Sequence, residues 1–271
     1  MKKLSPLFVS FYLILIFAGC ASTSSADFSA TSLYCTKAEL KERRSAVPLL
    51  ENALEWELQY PSGSAKEGML KTSLSKNFKS KYLSLFEDAA GPQYIRFSLA
   101  ADDEGKSPNG SSVRAELRNC NDWTLSDTAE LSYTFFITST DFTNARFTVG
   151  QFLQHCAKKD SPLCRIEVED GTVTAKVANY QEDGTTKADG IMHNYPLGTF
   201  AQKEEVSIRL CVKNKTLSIF RDGELKATHT FADSVSDKRG NYFKAGIYYQ
   251  NRDSPHIFSE VFLRNLQTKF E

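Results

Sequence analysis

From about residue 55 to the C-terminus, apolar and polar residues alternate in short runs. In 94–100, Ile95, Phe97 and Leu99 share one side of an extended chain. Leu131, Tyr133, Phe135 and Ile137 do the same in 131–137, and Val206, Ile208, Leu210 and Val212 in 206–212. Successive side chains of a strand point to opposite faces, so each run predicts a strand with one buried face. Residues 216–231 read as two strands around Asp222-Gly223, a dipeptide suited to a tight hairpin turn. A last run, 259–266, closes the series. There is no internal repeat and no strand–helix alternation. Many short two-faced strands predict an all-β sandwich of jelly-roll type with one sheet face left polar, forming a single domain over 55–271.

The N-terminal part has another pattern. Residues 36–54 carry the one helical periodicity, which Pro48 is expected to divide. Residues 21–34 are rich in Ser, Thr and Ala and read as a tether. Before them, Met1-Lys2-Lys3 precedes an apolar run over 7–19, short for a membrane span. It ends at Gly19-Cys20-Ala21. Small residues before a cysteine resemble a bacterial lipoprotein signal, with Phe17 a departure from the usual leucine. The expectation is cleavage before Cys20, lipidation of that residue, and an outer-membrane lipoprotein. The alternative is ordinary cleavage near Ala26 and secretion.

Composition narrows the partners. Lys plus Arg and Asp plus Glu number 33 each, so no global basic field points to nucleic acid. Apolar residues are 41% of the chain, enough for a large core, and a monomer is expected. Export implies an oxidising compartment. Setting Cys20 aside leaves Cys35, Cys120, Cys156, Cys164 and Cys211. Cys156 and Cys164 flank a short loop and are the expected disulfide. No cysteine–histidine spacing suggests a metal.

Three strands put unusual chemistry on their polar sides. In 241–250 (NYFKAGIYYQ), Tyr242, Lys244, Gly246, Tyr248 and Gln250 oppose Phe243, Ala245, Ile247 and Tyr249. In 112–119 (SVRAELRN), Arg114, Glu116 and Arg118 share a face, with guanidinium forks suited to planar carboxylates. In 147–156 (FTVGQFLQHC), Gln151, Leu153 and His155 share a face and Gln154 lies on the other. A surface ion-pair ladder would account for the second strand alone, and a merely structural histidine for the third.

Together these stretches resemble the alginate lyases of polysaccharide lyase family 7, marked by R-[ST]-E-L-R, Q-[IV]-H and Y-F-K-A-G-x-Y-x-Q in that order. The third motif matches at every fixed position and the first departs only at Ala115. The second is irregular, since Leu153 stands two residues after Gln151 and His155 comes later. The resemblance runs from about residue 60 to the C-terminus. It implies a jelly roll whose concave sheet binds an anionic polysaccharide and cleaves 4-linked uronates by β-elimination, with no cofactor.

The carried-over catalytic set is Arg114, Gln151, His155 and Tyr248. Arg114 and Gln151 would neutralise the C6 carboxylate, so that the C5 proton becomes removable. Tyr248 would act as base and acid, with Lys244 and Arg114 as neighbouring cations, and His155 as the alternative base when that proton lies on the other face. Glu116, Arg118, Gln154, Tyr242, Lys244 and Gln250 would grip the sugars, and Gly246 would let them approach the strand. Glucuronan and heparin lyases share related motifs, so the uronate stays open. A non-catalytic carbohydrate-binding module is a further alternative. A glycosidase would need two facing carboxylates, and Glu116 is the only acid in the three motifs.

Overall fold

The computed structural model describes residues 44–78, 80–87, 91–105, 112–250 and 257–271. Two antiparallel sheets pack face to face. The first runs, edge to edge, β10 (His193–Thr199), β9 (Thr172–Val177), β8 (Ser161–Glu169), β7 (Arg146–Gln154), β14 (Asn241–Tyr249), β5 (Arg114–Asn119), β1 (Trp56–Pro61) and β2 (Met69–Ser73). The second runs β13 (Glu224–Thr230), β12 (Thr216–Arg221), β11 (Val206–Lys213), β6 (Thr128–Ser139), β15 (Phe258–Phe270), β4 (Gln93–Ala100) and β3 (Leu83–Glu87). This is the expected jelly roll. Asp222 and Gly223 both take positive φ, 51° and 82°, and join β12 to β13 as the hairpin reading predicts.

The alternating runs supply the core. Ile95, Phe97 and Leu99 of β4 and Leu131, Tyr133, Phe135 and Ile137 of β6 are buried. So are Ala115 and Leu117 of β5 and Phe243, Ala245 and Ile247 of β14. One face of every central strand is thereby committed to the sandwich interior. The register cannot slip by one residue without turning that face to water.

Two expectations change. Over the described part of the predicted helix there are only short 3-10 turns, Val47–Leu49 and Ala53–Glu55. Pro48 sits in the first, and Asn52 at φ 53° breaks the chain direction before the second. Val47 and Leu50 are instead buried against the sheets. The second change is the disulfide, since Cys156 and Cys164 are both free thiols, as are Cys120 and Cys211. Cys164 lies on β8 inside the core, where burial pushes its thiol far up. Cys156 lies past the end of β7, half-buried, and the two belong to different environments. Cys20, Cys35 and the predicted leader lie outside the described residues.

Where β14 crosses the middle of its sheet it carries a bulge. Its register with β7 shifts between Ala245 and Tyr248, while pairing with β5 stays continuous. Gly246 lies in that interval at φ 146°. A Cβ there would collide with the Ala115 carbonyl, come within 2.8 Å of Glu116 Cα, and press on Phe97 at 3.2 Å. Its missing side chain therefore makes room for the neighbouring strand and the core, which replaces the expectation of close approach by sugar. Gly150 on β7 plays a like part for Tyr133, whose ring a Cβ would meet at 2.7 Å.

Gly246→Ala should therefore destabilise the fold by roughly 2–4 kcal/mol, combining left-handed strain and overpacking. Gly190→Ala, also at positive φ but with open space around it, isolates the strain alone at about 1–2 kcal/mol. Urea midpoints at constant m-value measure both.

Candidate active site

The three motif strands are neighbours, in the order β7, β14, β5, although more than 120 positions separate the first motif from the last in the sequence. Their inner faces are in the core, so their polar alternates meet on the outer face. The registers set them in rows. Tyr248 lies between Arg114 and Thr148. Lys244 lies between Arg118 and Gln151, with Arg165 of β8 next to Gln151 and Glu57 of β1 next to Arg118. Tyr242 pairs with Leu153, and Leu153 with Pro162.

Glu116 is the hub. It is 0% exposed. Oε1 accepts from Gln151 Nε2 at 2.6 Å, Oε2 accepts from Arg114 Nη1 at 3.1 Å, and Lys244 Nζ lies 3.7 Å from Oε2. Lys244 is also buried and donates to Gln59 Oε1 at 2.6 Å. Burial pulls its ammonium down to about 7, against the opposing pull of Glu116. Arg114, held from below in this way, lies over the Tyr248 ring at 4.0 Å from its centroid. The Tyr248 hydroxyl is 2.9 Å from Ser112 Oγ.

Arg114, Gln151 and Tyr248 line one pocket of about 260 Å³, together with Gln250, Arg165 and Leu153. Gln250 Oε1 accepts from Arg165 Nη1 at 3.1 Å, while Arg165 Nε is buried without a partner. The far wall carries Asp160, Lys159 and Tyr180. A larger cavity, about 540 Å³, lies elsewhere, between the N-terminal turns and β15. Its charged lining groups are Glu51 and Arg264, and Glu205 holds Arg264 with two hydrogen bonds of 2.6 and 2.5 Å. It offers no cation set beside a proton-transfer group.

The remaining sequence-predicted residues fall elsewhere. Gln154 is buried on the opposite side of β7, donating to Ser236 O at 2.8 Å, and does not face the pocket. Glu116 and Lys244 lie beneath the surface and act on their neighbours, in place of the expected grip on sugar. Tyr242 is buried too, with its hydroxyl donating to Asp160 at 2.9 Å and Arg118 over its ring at 4.3 Å. Burial and the Asp160 carboxylate push that phenol far up, so it stays protonated. Arg118 faces out, 3.4 Å from Glu57, beyond the pocket.

His155 follows the end of β7 and is not a pocket residue. Its ring packs on Tyr242, with Nδ1 3.2 Å from Asp160 and Nε2 3.1 Å from Asp122. The position two residues after Gln151 belongs to Leu153. Sequence reasoning missed Arg165, Asp160 and Ser112. For Arg165 there was a signal, since Arg165, Glu167 and Lys176 alternate with apolar residues across β8 and β9.

The sequence profile of the alginate lyase family matches residues 52–269. The chain belongs to the alginate lyase family. A search of curated protein sequences finds no match. Among solved structures, the family 7 alginate lyase A1-II′ superposes with TM-score 0.68 at 17% identity, covering 84% of this chain and 100% of that one. The alginate lyase AlyC3 gives 0.67 at 19%, covering 88% and 99%. The alginate lyase from Corynebacterium sp. gives 0.65 at 18%, covering 84% and 99%. These likenesses place this alginate lyase on the same fold.

The hub of this alginate lyase is open to a charge-removal test. Glu116→Gln leaves Arg114 and Lys244 without their shared counter-charge, and breaking a buried pair typically costs about 3–5 kcal/mol. The folded Lys244 value lies below the unfolded one of 10.5, so its penalty is fully present below about 7 and fades as pH rises toward 10.5. Losing Glu116 lowers the folded value further. The variant's deficit should therefore be largest in acid and narrow as pH rises through 7, measured by urea denaturation of both proteins across pH.

Proposed function

We propose that this pocket cleaves 4-linked uronate chains of alginate by β-elimination, with Tyr248 moving the proton. The observation that carries the reading is one pocket holding a guanidinium, a side-chain amide and a phenol, with the guanidinium stacked on the phenol's ring. The C5 proton of a uronate leaves only when the adjoining carboxylate can take up charge. Arg114 offers a fixed fork to that carboxylate, and Gln151 stands beside it. Arg114 also supplies positive charge beside the ring whose oxygen is negative before it accepts a proton. The Tyr248 oxygen takes the C5 proton, the C5–H electron pair forms the C4=C5 double bond, and the C4–O4 bond breaks. The same phenol then gives its proton to O4. Arg165 and Gln250 extend the polar lining for a neighbouring sugar.

Two similar structures hold oligouronates, a GGG product in A1-II′ and dimannuronate in AlyC3. They support a chain of uronates as the occupant of the corresponding face here. A lipid on Cys20 would tether the domain to the outer membrane through residues 21–34, leaving the cleft free to meet polymer.

Tyr248→Phe should lower turnover about 10²–10⁴-fold while binding persists, since only the hydroxyl is lost. The readout is the ultraviolet absorbance of the 4,5-unsaturated end released from alginate. New reducing ends without that absorbance would reveal hydrolysis and overturn the mechanism. Near-normal turnover in the variant would remove Tyr248 from it.

For the anchor, Cys20→Ser should release the protein from the membrane fraction or block its processing. Unchanged fractionation and processing on immunoblots would count against lipidation.

A further inference from the structure

Proton traffic in this pocket has one side. Leu153 faces the same way as Gln151, two residues along β7, and is 8% exposed. With Pro162 beside it on β8, it puts apolar side chains at the end of the pocket away from Tyr248, where Asp160, Lys159 and Tyr180 also line it. His155 is beyond the pocket, between Asp122 and Asp160. Glu116 and Lys244 are sealed beneath the sheet surface. Of the other lining groups, Arg114 and Arg165 are guanidiniums that do not take up protons. Tyr180 is held in its phenol form by burial. Asp160 already accepts from the Tyr242 hydroxyl, and as an anion it repels the uronate carboxylate. Lys159 is an exposed cation at the rim.

We infer that Tyr248 is the sole proton-transfer group and that Leu153 restricts the enzyme to uronates whose C5 proton and O4 lie on the same face of the ring. The inference rests on the β-elimination reading above and specifies its substrate. A single oxygen that first removes H5 and then protonates O4 must reach both from one side. Mannuronate presents them so. Guluronate, its C5 epimer, turns H5 to the opposite face, where a second base would have to stand. In this chain that place is filled by a leucine side chain. The sugar losing its C5 proton is thus a mannuronate, and guluronate blocks are left intact.

The test compares purified protein on oligomannuronate and oligoguluronate of equal length, reading the 4,5-unsaturated end by absorbance and mass. A missing base typically costs 10²–10⁴-fold, so mannuronate should be cut at least about 100-fold faster. Leu153→His places an imidazole on the empty side and should raise the guluronate-to-mannuronate rate ratio at least about tenfold. Comparable rates on both oligomers in the unmodified protein would overturn the inference while leaving the lyase reading intact. Absence of unsaturated product from both oligomers would overturn the inference and the lyase reading together. A folded Leu153→His protein with an unchanged ratio would remove Leu153 as the determinant.

Discussion

A carboxylate sealed inside the sheet surface organises this site. Glu116 has no solvent to stabilise its charge, so its environment must supply donors. Gln151 and Arg114 donate to it and Lys244 stands close by, each from a different position on β5, β7 or β14. The same demand fixes the orientation of two groups that line the pocket. Arg114 is tied down at one end while its guanidinium covers the Tyr248 ring. Gln151 has its amide nitrogen committed and its direction set. A single buried charge thus serves as the positioning device, and the side chains lining the pocket inherit its geometry.

The network extends sideways by the same logic. Lys244 is satisfied by Gln59, whose Nε2 donates to Glu57, which in turn takes Arg118. Arg118 covers Tyr242, and Tyr242 donates to Asp160, which His155 approaches. Side chains from β5, β14 and β1 form this belt and reach the segment between β7 and β8. Buried polar groups in contact gain strength from one another when every member is satisfied, which favours a rigid floor under the pocket. Tyr242, buried and kept protonated, belongs to that floor. Tyr248, with its hydroxyl beside Ser112, lines the pocket and is the group proposed to move the proton. Two tyrosines of one strand thus differ in environment through burial.

The contrast between Leu153 and His155 shows how little separates a reactive position from a structural one. Both stand at the same end of β7, two residues apart. The β-strand rise carries His155 past the end of β7, where two aspartates and an aromatic ring hold it. Leu153 remains over the pocket and presents only carbon. The register thus decides which of the two side chains lines the pocket.

Much was legible in the sequence by itself. Alternation along the chain determined the strands and their buried faces, because the period of two is a local property of extended backbone. The three polar faces marked the strands that line the pocket for the same reason, and the places of Arg114, Gln151, Tyr248 and Gln250 in that lining could be read directly from it. Only the tertiary structure decided what each polar side chain touches. Alternation says that Glu116, Lys244 and Tyr242 leave the core side, but side chains of neighbouring strands and loops surround them there, and burial depends on those neighbours. It placed Gly246 on the sugar side, whereas a bulge turned the position toward β5 and Phe97. It grouped His155 with Gln151, yet where β7 ends depends on partners far away in sequence. It paired Cys156 with Cys164 by proximity along the chain, and the fold put one thiol in the core and the other in a loop. Strand periodicity is encoded residue by residue, while burial and the ends of strands are set by long-range pairing that no local pattern contains.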